Sequence, residues 1–226
     1  MRTFIFSILT LLALAVAPAQ TDTSAVKKTS PFAGRMHLRL GYDIGKKIWS
    51  HYRHGNIDQA YLNLGYGNHI FELTAGTETM PYTHPTFSLV SEGRYWKAGY
   101  HYNFYDNWGD MHNEITLGIR YARAAFDYRL DQIHIDYPAP YDHWSYTRNG
   151  SVRFDRLHAW WLELTTAVRA ELFHNLYLDL YVSGKWMPRT PQAGDMTAVY
   201  VPGFYRTNVS HFGFGLGYAL SYRFGF

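Results

Sequence analysis

Two histidines in one short segment are the first candidates for chemistry in this sequence of 226 residues. His51 and His54 are separated by two residues, lie beside Trp49 and Tyr52, and would bind a transition metal if a third ligand converged on them. Candidate third ligands occur in other predicted loops: His84, His134, Asp136, Asp142 and His143. Because spacing alone fixes no geometry, solvated loop histidines are the favoured interpretation, and we predict neither a metal site nor a cofactor.

A second candidate is the pair Ser210 and His211, which could supply the nucleophile and base of a lipid-acting hydrolase. Adjacent residues of a regular strand point to opposite faces, so these two could not form a dyad with each other. The sequence also contains no Gly-x-Ser-x-Gly motif. No catalytic residue is therefore predicted, and a lipid-modifying enzyme is kept only as an alternative.

The elements that would position such residues follow a period of two. Apolar and polar residues alternate in eight segments, which cover approximately residues 35–44, 60–66, 71–76, 96–104, 114–121, 160–170, 176–185 and 212–226. Alternation of this kind predicts β-strands with one apolar and one polar face. A helix is a poor alternative for the last segment, because its interior glycines would each cost about 1 kcal/mol.

The connections between these segments alternate in length. Short ones lie at Gly67-Asn68, Asp106–His112 and Phe173–Asn175, and long ones span 46–59, 77–94, 127–158 and 186–211. In an even-stranded up-and-down barrel, this order places every long loop at one end and every short turn at the other. We therefore predict an all-β fold, an eight-stranded antiparallel transmembrane up-and-down β-barrel over residues 35–226.

The chemistry of the two strand faces distinguishes a membrane barrel from a soluble sandwich or lipocalin-like barrel. Large aromatic and aliphatic residues occupy one face, whereas the other is rich in Gly, Ser, Thr and Ala. Small residues fit the narrow interior of an eight-stranded barrel, and large aromatics fit lipid and its interfaces. Aromatic residues make up 18% of the chain, which is consistent with a lipid-facing surface.

Charged residues also fall on the face predicted to line the lumen. The predicted lumen ionic network consists of Arg35, Arg39, Lys97, Arg120, Arg169, Lys185 and Arg223 with Asp43, Glu72, Glu114, Glu163, Glu171 and Asp179. A selective pore would favour one sign of charge. Because both signs are nearly balanced, we predict a lumen closed by charged pairs, and a narrow pore for ions or small solutes remains an alternative.

The N-terminus and the composition limit the location of the protein and the kinds of site and partner it can have. A basic start, the apolar stretch 4–17 and Ala17-Pro18-Ala19 predict a cleaved signal peptide at residues 1–19, followed by a flexible periplasmic lead-in at 20–34. The absence of cysteine excludes disulfide scaffolds and thiolate-ligated metals. A net charge of +3 is too weak to indicate a nucleic-acid partner.

The last strand carries a resemblance to a known group of proteins. Its outward face bears Tyr218, Leu220, Tyr222, Phe224 and the terminal Phe226, and this pattern resembles the assembly signal of bacterial outer-membrane β-barrels. With the signal peptide and the loop alternation, residues 35–226 resemble small OmpA/OmpX-type barrels. The Ala19-Gln20 junction and Val201-Pro202-Gly203 are similar to an uncharacterised barrel family of Bacteroidetes-type bacteria. The resemblance implies the outer membrane, periplasmic termini, and the barrel-assembly machinery and outer-membrane lipids as partners, but no chemistry.

The long loops are where a function would lie. They contain Tyr82, Tyr137, Tyr141, Trp144, Tyr146 and Tyr200. Surfaces rich in Tyr and Trp favour binding, although an interfacial aromatic belt without a specific partner explains them equally well. We therefore expect a structural or surface-binding, adhesion-type protein with an unknown surface ligand.

Overall fold

The computed structural model describes residues 36–84, 87–106, 112–135, 146–194, 196–207 and 211–225, without the side chains of 132–135, 146–150 and 196. Eight long strands dominate it: β1 (Met36–Tyr42), β2 (Asn56–Tyr66), β3 (His69–His84), β4 (Phe87–Asn103), β5 (Glu114–Ile135), β6 (Tyr146–Phe173), β7 (Leu176–Trp186) and β12 (Phe212–Gly225). One helix, α1 (Ile44–Tyr52), follows β1. Between β7 and β12 lie four two-residue strands: β8 (Gln192–Ala193), β9 (Met196–Thr197), β10 (Tyr200–Val201) and β11 (Tyr205–Arg206).

The eight long strands form one closed antiparallel ring in the order β1-β12-β7-β6-β5-β4-β3-β2. Strand β1 closes the ring by pairing with both β2 and β12, and His37 lies opposite Gly225 in that register. Both ends of the described chain therefore lie at the barrel end that carries the short turns. The predicted eight-stranded up-and-down barrel is confirmed.

The outward face of the barrel is an apolar band. Leu117, Ile119, Leu164 and Leu216 are 46–69% exposed, although they belong to regular strands of the barrel. Aromatic residues border the band at two levels, with ring pairs such as Trp96–Tyr121 and Tyr121–Trp160 near the long loops and Tyr102–Phe104 and Tyr222–Phe224 near the short turns. This arrangement of an apolar band between two aromatic girdles is typical of a barrel surrounded by lipid.

The inward face combines bulky polar side chains with glycines on neighbouring strands. Gly41 lies beside Tyr61, and Gly217 lies beside Tyr181, at positions where a Cβ would overlap the tyrosine ring. The glycines of the small-residue face therefore make room for side chains that cross the lumen. An interior of eight strands is wide enough only for side chains to fill it.

Several strands are longer than the sequence predicted. Residues 77–94 and 127–158 were expected to be loops, but β3 runs to His84, β4 begins at Phe87, β5 reaches Ile135 and β6 begins at Tyr146. Strands β2 and β3 have 11 and 16 residues, and both are longer than the segments 60–66 and 71–76 that the alternation predicted.

The extended parts of β3–β6 form a wall above the apolar band, which we call the upper wall. Its strand segments are residues 80–84, 87–95, 123–135 and 146–160. Here the alternation reverses, because Phe126, Tyr128 and Leu130 point inward, whereas Asp127 and Arg129 point outward. The upper wall therefore presents a polar outer face to water and an apolar inner face to the barrel mouth.

The connections at the long-loop end fold over and into the barrel. Helix α1 lies between β1 and β2 and contacts β2 and β12. The described residues of 187–207, here called the plug, fold inward as two small hairpins, β8/β9 and β10/β11. Within the described residues, no helix is long and apolar enough to cross a membrane.

Candidate functional site

Charged residues from six strands meet in the half of the lumen that lies nearer the short turns. This ionic layer consists of Arg39, Glu72, Lys97, Glu114, Arg120, Glu163, Arg169 and Asp179, each 8% exposed or less. Glu114 accepts two hydrogen bonds of 2.7 Å from Arg39 and a third of 3.0 Å from Arg169. Charges so far from water persist only when they are paired, and this carboxylate has two guanidinium partners.

The second half of the ionic layer is built around Glu72 and Glu163. Arg120 joins them, with nitrogen–oxygen distances of 2.8 Å to Glu72 and 2.5 Å to Glu163. Glu163 also accepts hydrogen bonds of 2.8 Å from Lys97 and from the indole of Trp161. Glu163 and Arg169 lie six positions apart on β6, too far to reach each other, and each pairs with residues of other strands.

Asp179 extends the layer toward β2 and β12. It accepts hydrogen bonds from Tyr61 and from Ser221, the latter at 2.9 Å, and lies 3.7 Å from Arg169. The guanidinium of Arg39 also stacks over the ring of Tyr177 at 4.7 Å. The layer thus connects opposite walls of the barrel through side chains alone.

The remaining predicted network residues lie elsewhere. Asp43 and Lys185 are buried nearer the mouth, and Arg223 is buried on β12 near the short turns. Glu171 is at the short-turn end, where it accepts hydrogen bonds from the backbone of His112 and Asn175. Arg35 lies outside the described residues, so its predicted inward position stays a prediction.

The plug fills the half of the lumen nearer the mouth. Met187, Val201 and Phe204 are at most 1% exposed and pack in one apolar core with residues from β2 to β6, including Trp161 against Phe204 at 5.7 Å. Burial of a large apolar side chain stabilises by roughly 1.5–3 kcal/mol. Plug docking therefore rests mainly on apolar packing against the inner face of the upper wall.

Two buried polar side chains, those of Glu78 and Lys185, hold the tip of the plug through hydrogen bonds. Val201-Pro202-Gly203 forms a turn in which Phe204 donates its N–H to the carbonyl of Val201 at 3.1 Å, and Gly203 has a φ of +79°. Proline followed by a residue with positive φ is typical of a type II turn. Gly203 donates its N–H to Glu78 and accepts a hydrogen bond from Lys185, both at 2.8 Å.

Tyr200 makes a further contact with Glu78, to which its hydroxyl donates. Burial and the neighbouring carboxylate of Glu78 raise the pKa of Tyr200 well above its ordinary value, so the hydroxyl keeps its proton. Tyr200 was expected among the exposed loop aromatics, but it is 3% exposed. Sequence reasoning also missed Glu78, because residues 77–94 were assigned to a loop.

Helix α1 is held at the mouth by its own N-cap. Asp43 accepts the backbone N–H of Lys46 at 2.9 Å, and it also accepts hydrogen bonds from Tyr181 and Gln59. The ammonium of Lys46 donates to Gln59 at 2.6 Å and lies 3.6 Å from Asp43. Burial lowers the pKa of Lys46, and the nearby carboxylate of Asp43 opposes that shift.

A groove of about 950 Å³ opens at the mouth between α1, the plug, the end of β3 and the start of β12. This mouth groove is lined by aromatic residues, including Trp49, Tyr82 and Tyr205, and by Arg53 and Arg206. None of its described lining residues is acidic. It is therefore a cationic and aromatic recess on the water-facing side of the barrel.

The predicted chemical alternatives are not assembled among the described residues. His51 and His54 are exposed near the end of α1, and the described part of the chain contains no cluster of three metal-ligating side chains. His211 is exposed, and its ring nitrogen lies 2.9 Å from the carbonyl of Met187, whereas Ser210 lies outside the described residues. His134, Asp136, Tyr137, Tyr141, Asp142, His143, Trp144 and Tyr146 lie where the structure describes no side chains.

The outward positions of the proposed assembly signal follow the regular pattern of β12. Tyr218, Leu220, Tyr222 and Phe224 are 37–44% exposed on the outer face. Phe226, the signal peptide at 1–19 and the lead-in at 20–34 lie outside the described residues, and these assignments stay predictions.

A closed antiparallel ring of eight strands, with an apolar outer band and a filled polar interior, defines a small transmembrane β-barrel. Within this class, a family model described as a domain of unknown function (DUF6048) matches residues 1–226. The chain belongs to this family. No curated protein matches the chain.

Solved structures of similar shape include two bacterial barrels. The N-terminal β-barrel domain of Pseudomonas aeruginosa OprF is 7% identical, with a TM-score of 0.41, over 85% of this chain and 98% of that one. Neisserial surface protein A (NspA) is 11% identical, with a TM-score of 0.42, over 85% of this chain and 95% of that one. The resemblance to Bacteroidetes-type barrels stays a prediction, because the family description names no organism.

Proposed function

We propose that this protein is a barrel of the bacterial outer membrane with a closed lumen, and that it functions by binding at its external mouth. The observation that carries the proposal is the double filling of the lumen. The ionic layer occupies the half near the short turns, and the plug occupies the half near the mouth. A barrel filled in this way has no path for a solute, so the mouth is the part available for function.

The arrangement of the loops supports the orientation of the barrel. Met36 and Gly225 lie at the short-turn end, and helix α1, the plug and the upper wall lie at the other end. Outer-membrane barrels carry short periplasmic turns and longer external loops. We therefore place both termini in the periplasm and the mouth at the cell surface, with membrane lipids around the apolar band and the barrel-assembly machinery as the partner during insertion.

The charge pattern of the lumen favours a closed barrel over a narrow pore. Selective pores carry rings of one sign of charge, whereas each acidic residue of the ionic layer is hydrogen-bonded or paired to a basic one. The upper wall and the mouth groove instead offer exposed aromatic and charged surface, which is the composition of binding surfaces.

Single-cysteine labelling tests the orientation, because the chain has no native cysteine. Asp155→Cys places a thiol on the exposed outer face of the upper wall, and His174→Cys places one in the exposed short turn after β6. In intact cells, a membrane-impermeant maleimide should label Asp155→Cys but not His174→Cys, and permeabilised cells should label both. The reverse pattern would contradict the proposed orientation.

Planar-bilayer recording on the refolded protein tests the closed lumen. We expect no steady conductance from the wild-type barrel, because both halves of the lumen are filled. Stable open channels of large conductance would overturn the closed-lumen proposal and support the pore alternative.

A further inference from the structure

The mouth groove places two arginines beside aromatic rings without acidic neighbours. Arg53 stacks over Trp49 at 5.5 Å, and Arg206 stacks over Tyr82 at 5.2 Å. Both arginines are exposed, and within the described residues neither has a carboxylate at ion-pair distance. Other exposed arginines of this chain, such as Arg129 and Arg153, are paired with aspartates. The cationic side of the groove is therefore available to an anion.

The opposite side of the groove is continuous with the lipid-facing surface. Phe212, Phe214 and Leu216 of β12 line the groove and are 64–83% exposed on the outer face of the barrel. The plug and α1 close the groove on its inner side, with Trp49 against Tyr205 at 5.9 Å. One recess thus passes from a cationic, water-facing wall to an apolar surface at the level of the membrane.

We propose that the mouth groove binds an anionic amphiphile of the surrounding membrane, with a phosphate head group on Arg53 and Arg206 and its acyl chains along Phe214 and Leu216. Guanidinium groups form paired hydrogen bonds with phosphate oxygens. The aromatic rings stacked against Arg53 and Arg206 fix the orientation of the two guanidinium planes. The inference deepens the proposed function, because it rests on the mouth lying at the outer leaflet and names the ligand class of that site.

A lipid fits the groove better than a soluble anion, because the side of the groove formed by β12 is apolar. A free phosphate would leave Phe212, Phe214 and Leu216 exposed to water, whereas a lipid covers them. Lys46 also reaches the groove, but it is buried and donates to Gln59, so it acts as a fixed part of the floor. The two exposed arginines are therefore the residues that would select the head group.

Native mass spectrometry of the full-length protein in a non-ionic detergent tests the inference. The protein is titrated with phosphatidic acid and, separately, with phosphatidylcholine of the same acyl chains. We expect tighter binding of phosphatidic acid, and a loss of affinity of about fivefold in Arg53→Gln or Arg206→Gln and about twentyfold in the double variant. Binding of phosphatidylcholine should change little, because its net head-group charge is zero.

Arg189→Gln is the matched control, since Arg189 is an exposed arginine of the plug that does not line the groove. It should leave the affinity for phosphatidic acid unchanged. Folding of each variant is checked by its heat-modifiable mobility on gels, and all three arginines are at the surface. Inorganic phosphate, added as a competitor, should not displace the lipid.

Equal affinity for the two lipids, or unchanged affinity in the double variant, would overturn the inference. Displacement of the lipid by inorganic phosphate would overturn the choice of a lipid over a free anion. These outcomes are distinct from failure of the proposed function, which would appear as inverted cysteine labelling or as steady channels.

Discussion

Arg39 on β1 donates two hydrogen bonds of 2.7 Å to Glu114 on β5, across the full width of the barrel. In the order of the ring, these two strands are four positions apart and therefore diametrically opposite. Both side chains are at most 1% exposed. The pair acts as a strut between two walls that share no backbone hydrogen bond.

We predict that Glu114→Gln strongly destabilises the barrel. The change removes a buried negative charge that faces Arg39 and Arg169, and loss of one partner from a buried ion pair costs about 3–5 kcal/mol. Asp58→Asn is the control, because its pair with Lys47 is about two-fifths exposed, and such pairs contribute about 0–1 kcal/mol. Urea unfolding of the refolded proteins measures the free energy of unfolding of both variants. Equal losses of stability in Glu114→Gln and Asp58→Asn would contradict a stabilising role of the Arg39–Glu114 pair.

A substitution at the tip of the plug should loosen it without opening the lumen. Gly203 has a φ of +79°, and a Cβ there would lie 2.8 Å from the ring of Tyr95, so Gly203→Ala should cost at least the roughly 1–2 kcal/mol of a left-handed residue. We expect faster proteolysis within 187–207, measured by mass spectrometry. Bilayer recordings should stay silent, because the ionic layer is intact.

Gly184→Ala is the matched control for that experiment. A Cβ at Gly184 would meet no atom within 4 Å, so proteolysis of the plug should match the wild type. A large conductance in Gly203→Ala would instead mean that the plug alone closes the barrel.

A charged residue placed in the outward apolar band should lower the stability of the barrel, by an amount that depends on its depth in the membrane. Leu117 is 46% exposed on the outer face of β5, and Arg at this position should cost about 2–4 kcal/mol if it lies near the bilayer midplane. Thr116, the adjacent inward residue, should tolerate Ser far better, because the replacement stays small and polar. Refolding into lipid vesicles and unfolding in guanidinium compare the two, and similar losses would indicate a soluble barrel with a mixed core.

The pair of Asp43 and Lys46 should make stability depend on pH. Burial lowers the pKa of Lys46 below 10.5, so the unfolded state binds more protons between the lowered value and 10.5. Stability therefore rises with pH through this interval. Asp43→Asn keeps an N-capping side chain but removes the carboxylate that raises the pKa of Lys46. The pKa of Lys46 should therefore fall further, and the pH range over which stability rises should extend toward neutral pH.

The measurement is the unfolding free energy of the wild type and Asp43→Asn at pH 7 and pH 10. The variant should lose more stability at pH 7 than at pH 10, and adding Lys46→Met should abolish the difference. An equal loss of stability at both pH values would show that the pKa of Lys46 does not depend on the carboxylate of Asp43.

The period-two segments predicted the strands of the apolar band, because the direction of each side chain depends only on its position along its own strand. Leu117, Leu164 and Leu216 face outward as the pattern requires. The same rule failed for residues 77–94 and 127–158, where the alternation reverses and the apolar residues point inward. Phe126, Tyr128 and Leu130 alternate with Asp127 and Arg129, and this reversal was the signal that would have extended the strands.

The sequence by itself determined the barrel class, the lipid-facing side of each strand and the charged inward residues, because each depends only on the two-residue repeat of a strand. Only the tertiary structure decided which residues those charges pair with and that residues 187–207 fold into the lumen. Closure of the ring brings Arg39 to Glu114 and Gly203 to Glu78, residues separated by 75 and 125 positions in the chain. No local pattern encodes such contacts, since they depend on how far each side chain reaches across a space that exists only after the barrel has closed.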